Sequence, residues 1–243
     1  MIKIIIHITK FIIAAITALL FASCNFNLNT IEGSGNVTTE KRIIQGDFKN
    51  VSVSNAIDVV IIQAVSTEIT VEADDNLQKD IITKVEDGTL YIKCKYSSFG
   101  DVTKRVIVKM PVINKLEASS ASTIQTEKVI LGENIELEAF SASTIDANIE
   151  FDNIICDSGS GSTINIQGKA LKIKASASSG SSINAEKLLA NEVHAEASSG
   201  ASVDVHPIVN LKAEASSGGS VNYDSSPKTI EKTENSGGSV SKG

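Results

Sequence analysis

The second half of the chain repeats one short phrase, and the repeat limits the fold more than any other feature. "EASSGASV" at residues 196–203 returns as "EASSGGSV" at residues 214–221, and "ENSGGSV" follows at 234–240. Aligned on the apolar residue that ends each phrase, the repeats run through Ile124, Ile145, Ile164, Ile183, Val203, Val221 and Val240, at intervals of 21, 19, 19, 20, 18 and 19 residues. Four places earlier a serine recurs without exception: Ser120, Ser141, Ser160, Ser179, Ser199, Ser217 and Ser236. Three places earlier the residue is Ala or Gly, and one place earlier it is Thr or Ser. Eight and six places earlier the residues are apolar or small, from Leu116 and Ala118 to Ala213 and Ala215, while the position between them is polar. Alternation with period two is a strand with one buried face.

A repeat of about 19 residues built only from strands and corners cannot bury its apolar face alone, so it stacks on its neighbours. The chain is therefore expected to be all-β, with a parallel β-helix of about seven coils over residues 112–243. Crossover chirality favours a right-handed coil. The serine column is expected to be structural: the corner turns sharply, inward space is small, and hydroxyls can satisfy the corner backbone. In the last repeat Lys232 and Glu234 replace the inward small residues. That is the polar end a terminal repeat needs.

The polar column seven places before each phrase end contains Glu117, Glu138, Asp157, Glu196 and Glu214. Stacking makes it an acidic strip at a rung spacing of about 4.8 Å. Like charges there repel, so removing one, as in Glu138→Gln, should relieve the strip. Lys174, His194 and Lys212 lie two residues ahead of the column and can partly neutralise it. Calcium could bridge such oxygens, but a solvated acidic face is the plainer reading and no metal site is assigned.

Residues 41–111 alternate as ordinary β structure and are expected to pack onto the helix as a separate N-terminal region. "FKNVSVSNAIDVVIIQ" gives two strands around residues 54–56, "DGTLYI" forms a hairpin turn at Asp87–Gly88, and "DNLQKD" has room for one helical turn. Residues 24–40 are polar and read as a flexible tether. Before them, "MIKIIIHITKFIIAAITALLFASC" has two lysines, an apolar run, then small residues and Cys24. Residues 1–23 read as a signal peptide. The segment resembles a lipobox, which implies cleavage before Cys24, acylation of its thiol and a membrane anchor.

Without residues 1–23 the chain has 20 Lys and Arg against 29 Asp and Glu, a net charge of −9. Nucleic acid, which selects basic patches, is excluded as a partner. Cys94 and Cys156 occupy apolar positions of strand patterns; buried thiols are favoured, and a disulfide stays open in an oxidising compartment. His194, Asp204 and His206 lie in one repeat. Without a nucleophile elbow they do not make a hydrolase, and no catalytic residue is assigned. The Gly-Ser phrases lack the following helix of a phosphate loop, and no cofactor is expected.

The pattern F-x-x-V-x-V-S-x-A-I-x-V at Phe48 to Val59, the "DGTLYI" hairpin, the repeated SG-x-S corners and Y-x-x-x-P at Tyr223 to Pro227 resemble the putative auto-transporter adhesin, head GIN domain family. In this chain Ser54-Asn55-Ala56-Ile57 stands where the family's head motif has Gly-Ile. The resemblance implies a β-helical envelope protein, often a lipoprotein, and brings no catalytic residues. The function expected is a non-enzymatic, lipid-anchored cell-envelope protein, held at the outer membrane through Cys24 and presenting a surface to a protein or glycan. The alternatives are a periplasmic spacer and a carbohydrate-active enzyme.

Overall fold

The computed structural model describes residues 10, 31–96 and 100–243. The expected signal peptide, apart from Lys10, and Cys24 lie outside the described residues. The strands are β1 (Val37–Arg42), β2 (Asn50–Val53), β3 (Asp58–Gln63), β4 (Glu68–Asp74), β5 (Ile81–Glu86), β6 (Thr89–Cys94), β7 (Lys104–Met110), β8 (Lys115–Ala118), β9 (Thr123–Thr126), β10 (Ile130–Ala139), β11 (Thr144–Ser158), β12 (Thr163–Ala177), β13 (Ser182–Ala197), β14 (Ser202–Ala215), β15 (Ser220–Tyr223), β16 (Thr229–Glu234) and β17 (Ser239–Lys242).

From β8 onward every pairing is parallel, and the repeat columns are the register. Ile124, Ile145, Ile164, Ile183, Val203, Val221 and Val240 stand one above another and all are buried. Beside them Leu116, Leu137, Cys156, Ala175, Ala195 and Ala213 form a second column that is fully buried. The change from Leu to Ala narrows the core toward the C-terminal coils. The uneven repeat lengths are absorbed by bulges, one past Asn165 and two between Ala185 and Glu192, which leave the corners in line. The fold is a β-solenoid of about seven turns of about 19 residues.

The solenoid does not begin at residue 112. β2 and β3 pair in parallel with β8 and β9, placing Val51 on Leu116, Val53 on Ala118 and Val59 on Ile124. β6 and β7 pair in parallel with the other edges of β2 and β3. Residues expected to form a separate region therefore supply two rungs of the same stack, and residues 32–243 form one compact unit. The buried alternation Val51, Val53, Ile57, Val59, Ile61 is that of every later coil. Chain inserted between β3 and β8 breaks its period.

Antiparallel strands close this end: β4 on β7, β1 on β4 and β5 on β6. They cover an edge that would otherwise template further pairing. The tether expected to reach Glu40 ends earlier, because β1 is a paired strand and the residues before it are pinned. The buried Asp74 accepts Gly35 N–H at 2.8 Å and Thr103 N–H at 2.7 Å. Asp75 accepts Ser34 Oγ at 2.6 Å and Asn36 Nδ2 at 2.8 Å, bonds that hold its carboxyl below the ordinary range. At Asp87–Gly88 the expected hairpin joins β5 to β6, both turn residues having positive φ. Residues 75–80 form hydrogen-bonded turns in which Gln78 N–H bonds Asp74 O and Ile81 N–H bonds Leu77 O.

At the other end Lys232 and Glu234 fold across the core. Lys232 Nζ lies 4.9 Å from the centre of the Tyr223 ring and donates to Val240 O at 3.2 Å. Val240 N–H donates to Glu234 Oε1 at 2.5 Å. Two charged side chains thus cap the last rung.

Candidate functional site

Each corner takes its shape from two consecutive residues with positive φ. Serine is the first in every repeat coil, with φ of 52° at Ser120, 55° at Ser141, Ser160 and Ser179, 52° at Ser199, 49° at Ser217 and 48° at Ser236. Ala or Gly is the second. Positive φ at both central positions is the pattern of a type I′ turn. Its closing bond is present, for example from Ser122 N–H to Ser119 O at 3.2 Å and from Gly219 N–H to Ser216 O at 2.8 Å. An eighth corner of this kind lies at Asn55–Ala56, with φ of 66° and 54°, where the chain departs from the family's head motif.

The serine column does not point inward. All seven of these serines are exposed, which corrects the expectation of a tight inward corner. Their contribution is through the backbone: Ala121 N–H bonds Ser141 O, Ala142 N–H bonds Ser160 O and Gly161 N–H bonds Ser179 O, so the parallel ladder continues through the turns. Nothing in the structure explains serine over asparagine or glycine there. The inward hydroxyls stand two residues later. Ser122, Ser143, Ser162 and Ser181 are buried and stitch each coil to the previous one. Ser143 Oγ donates to Ala118 O at 2.8 Å and Ser181 Oγ to Ser158 O at 2.7 Å. In the C-terminal coils this column becomes Ala201, Gly219 and Gly238. A Cβ on Gly219 would lie 2.5 Å from Ala197 O, so the narrowed core leaves room only for hydrogen. The signal was present two places before each phrase end, but the unbroken serine column obscured it.

The acidic strip exists as a column. Glu117, Glu138, Asp157, Ser176, Glu196 and Glu214 are neighbours in register. The structure breaks it into compensated groups. Lys115 Nζ lies 2.6 Å from Glu138 and 3.6 Å from Glu136. Burial is the strongest single influence and works against the Lys115 charge, yet its bond to Glu138 and the charges of Glu138, Glu136 and Glu117 together raise its pKa. Lys212 is 2.7 Å from Glu214 and, by that bond, lowers the carboxyl's pKa. Lys174 is 3.7 Å from Glu196. Asp157 has no ion pair among the described residues, and burial, then the Glu138 charge, raise its pKa. The relief expected of Glu138→Gln is therefore misplaced: Glu138 holds a lysine, and Asp157 bears the repulsion. Sequence spacing pointed to Lys174, His194 and Lys212 but passed over Lys115.

A parallel amide column lies just past each phrase end. Asn165 Nδ2 donates to Asp146 at 2.6 Å, Asn184 Nδ2 to Asn165 at 2.6 Å and Asn222 Nδ2 to Asp204 at 2.7 Å. His206 pairs with Asp224 at 2.7 Å rather than with Asp204, and Ser225 Oγ is bonded to Pro207 O. Cys94 and Cys156 are both buried and free, and burial pushes the Cys156 thiol up. A lysine that sequence reasoning did not single out, Lys104, ends the inward column of β7 with 6% exposure; burial lowers its pKa to about 8. The concavities are open troughs on the solenoid faces. One of about 500 Å³ follows the amide column, and one of about 570 Å³ runs past Ile155, Lys174, His194, Lys212 and Ile230.

Solved structures share this architecture. A crystal structure of a putative adhesin from Bacteroides fragilis superposes with a TM-score of 0.80 at 16% identity, covering 87% of this chain and 99% of that one. One from Parabacteroides merdae gives 0.68 at 21% identity, covering 88% and 99%. A structure described as a putative lipid binding protein from Parabacteroides distasonis gives 0.71 at 19% identity, covering 88% and 100%. At these identities they share the fold. Among curated proteins, none matches the chain. The family profile "Putative auto-transporter adhesin, head GIN domain" matches residues 47–227, from the first rung to the loop before the last, and the chain belongs to that family.

Proposed function

We propose that this is a lipid-anchored, non-enzymatic protein of the cell envelope whose solenoid faces bind an external partner. The observation that supports it most is the set of outward columns. The acidic and amide columns repeat at the strand spacing over successive coils, so the molecule presents extended, regular faces with open troughs. Such faces suit contact with another surface. Family membership supports an envelope or surface location. Cys24 stands eight residues before Glu32, where the described unit begins. An acylated Cys24 would tether Glu32 to the lipid through a chain that spans at most about 28 Å.

Protease treatment of intact cells, with fractionation of wild type and Cys24→Ala, tests the reading. Wild type should sediment with membranes, be cleaved from outside and show acyl mass on an N-terminal Cys24. The variant should leave the membrane fraction. A protein that stays with membranes but is shielded in intact cells is a periplasmic spacer, and absence of acyl mass removes the anchor. A second reading, lipid binding, is favoured by a trough of about 500 Å³ bordered by Leu131, Phe151, Leu171, Leu189 and Ile208. Mass spectrometry of organic extracts of the purified protein tests it, since a bound lipid should co-purify in stoichiometric amount.

A further inference from the structure

Between the outward columns of the fifth and sixth repeat coils, three side chains of different sequence position converge. His194 and Glu196 project from the same face of β13, two residues apart. Glu214 lies beside Glu196 on β14. One ligand-type atom from each falls within 4.8 Å of the others. His194 Nε2 is 3.1 Å from Glu196 Oε1 and 3.4 Å from Glu214 Oε1. Nε2 itself has no contact with solvent, although the His194 side chain is 31% exposed. A ring nitrogen shielded from solvent and set between two carboxylate oxygens brings three metal-type donors to one point.

We propose that His194, Glu196 and Glu214 bind a divalent transition ion of the zinc class. A tetrahedral ion with bonds of about 2.0–2.1 Å holds neighbouring donors about 3.3–3.4 Å apart. The two nitrogen–oxygen separations bracket that edge, so only the two carboxylates must draw together. One imidazole and two carboxylates fill three positions and leave the fourth for water. The donor set selects against calcium, which takes six to eight oxygens, and favours zinc, copper or nickel. Glu196 is already oriented, because Ser176 Oγ donates to its Oε2 at 2.9 Å and leaves Oε1 toward the histidine. The competitor is Lys212, whose ammonium is 2.7 Å from Glu214 Oε1. Lys174, 3.7 Å from Glu196 Oε1, is a weaker one. Binding must displace the Lys212 contact, and this weakens affinity. The site stands apart from anchoring and does not depend on it.

The test is isothermal titration of the full chain with zinc chloride. The protein is purified in detergent with its natural N-terminus, without a histidine tag, and titrated in a non-coordinating buffer. One ion per chain should bind with micromolar Kd, unaffected by millimolar calcium. His194→Ala and Glu214→Gln should each weaken binding about tenfold or more, with unchanged circular dichroism as the check on folding. Lys212→Met should tighten binding several-fold, an effect that a merely structural ion-pair cluster does not produce. Wild-type protein without saturable zinc binding overturns the proposal and leaves the three side chains as a polar cluster without a ligand role. Zinc binding that survives His194→Ala undiminished overturns it as well.

Discussion

Two serines two positions apart do opposite things in this protein. Ser160 is exposed and contributes a backbone conformation. Ser162 is buried and bonds Ala139 O, Gly159 O, Gly159 N–H and Ser158 Oγ, the last two at 3.1 and 2.8 Å. Leaving buried polar groups unpaired costs about 1–3 kcal/mol. Ser162→Ala should therefore lower stability by roughly 1–2 kcal/mol, while Ser160→Ala stays within about 0.5 kcal/mol, as exposed substitutions usually do. Denaturant melts of both variants check this. Equal losses would mean that the corner serine has a side-chain role as well.

At the scale of the element, the acidic column is a set of local balances rather than one repulsive strip. Glu138→Gln should destabilise by about 0.5–1 kcal/mol at low salt, because it strips Lys115 of its nearest carboxylate, and the loss should shrink as salt screens the pair. Asp157→Asn should do the reverse. The Asp157 pKa is raised on folding, so the folded state binds the proton more tightly than the unfolded one. Native stability then gains as pH falls through the raised pKa toward the ordinary value of 3.8, and loses that gain as pH rises. Asp157→Asn should be more stable than wild type at pH 7 by a few tenths of a kcal/mol, and the two should converge below the ordinary value. Thermal melts across pH and salt measure both. A neutral Asp157→Asn at every pH would show that the carboxylate is fully solvated.

For the whole molecule the vulnerable feature is the last rung, whose strands β16 and β17 have an open edge. Lys232 and Glu234 occupy inward positions there, and inward charge is one of the ways natural sheets discourage edge-to-edge pairing. Lys232→Leu with Glu234→Ala removes both charges and extends the apolar columns to the end of the stack. The double variant should fold, yet self-associate with rising concentration in size-exclusion chromatography with light scattering, whereas wild type should not change its state over that range. A variant that elutes as wild type at every concentration would mean the edge is guarded by something other than these side chains.

Much of this was legible in the sequence because a stacked fold copies its register into the chain. Residues at equal phase are neighbours in space, so period two gave the buried face and the 19-residue period gave the columns, the acidic strip and the polar cap. Both signals are local or strictly periodic. What broke period was not legible. The two rungs built by β2, β3, β6 and β7 were hidden by the chain inserted among them. The choice between Ser160 and Ser162 as the inward residue depended on backbone twist inside a two-residue turn, where φ above zero rotates successive side chains out of simple alternation. The lysine that settles on each carboxylate was decided by side-chain reach across rungs. The approach of His194 to two glutamates was likewise fixed only when β13 and β14 came together in register, since a contact between coils depends on distances that no spacing along the chain contains.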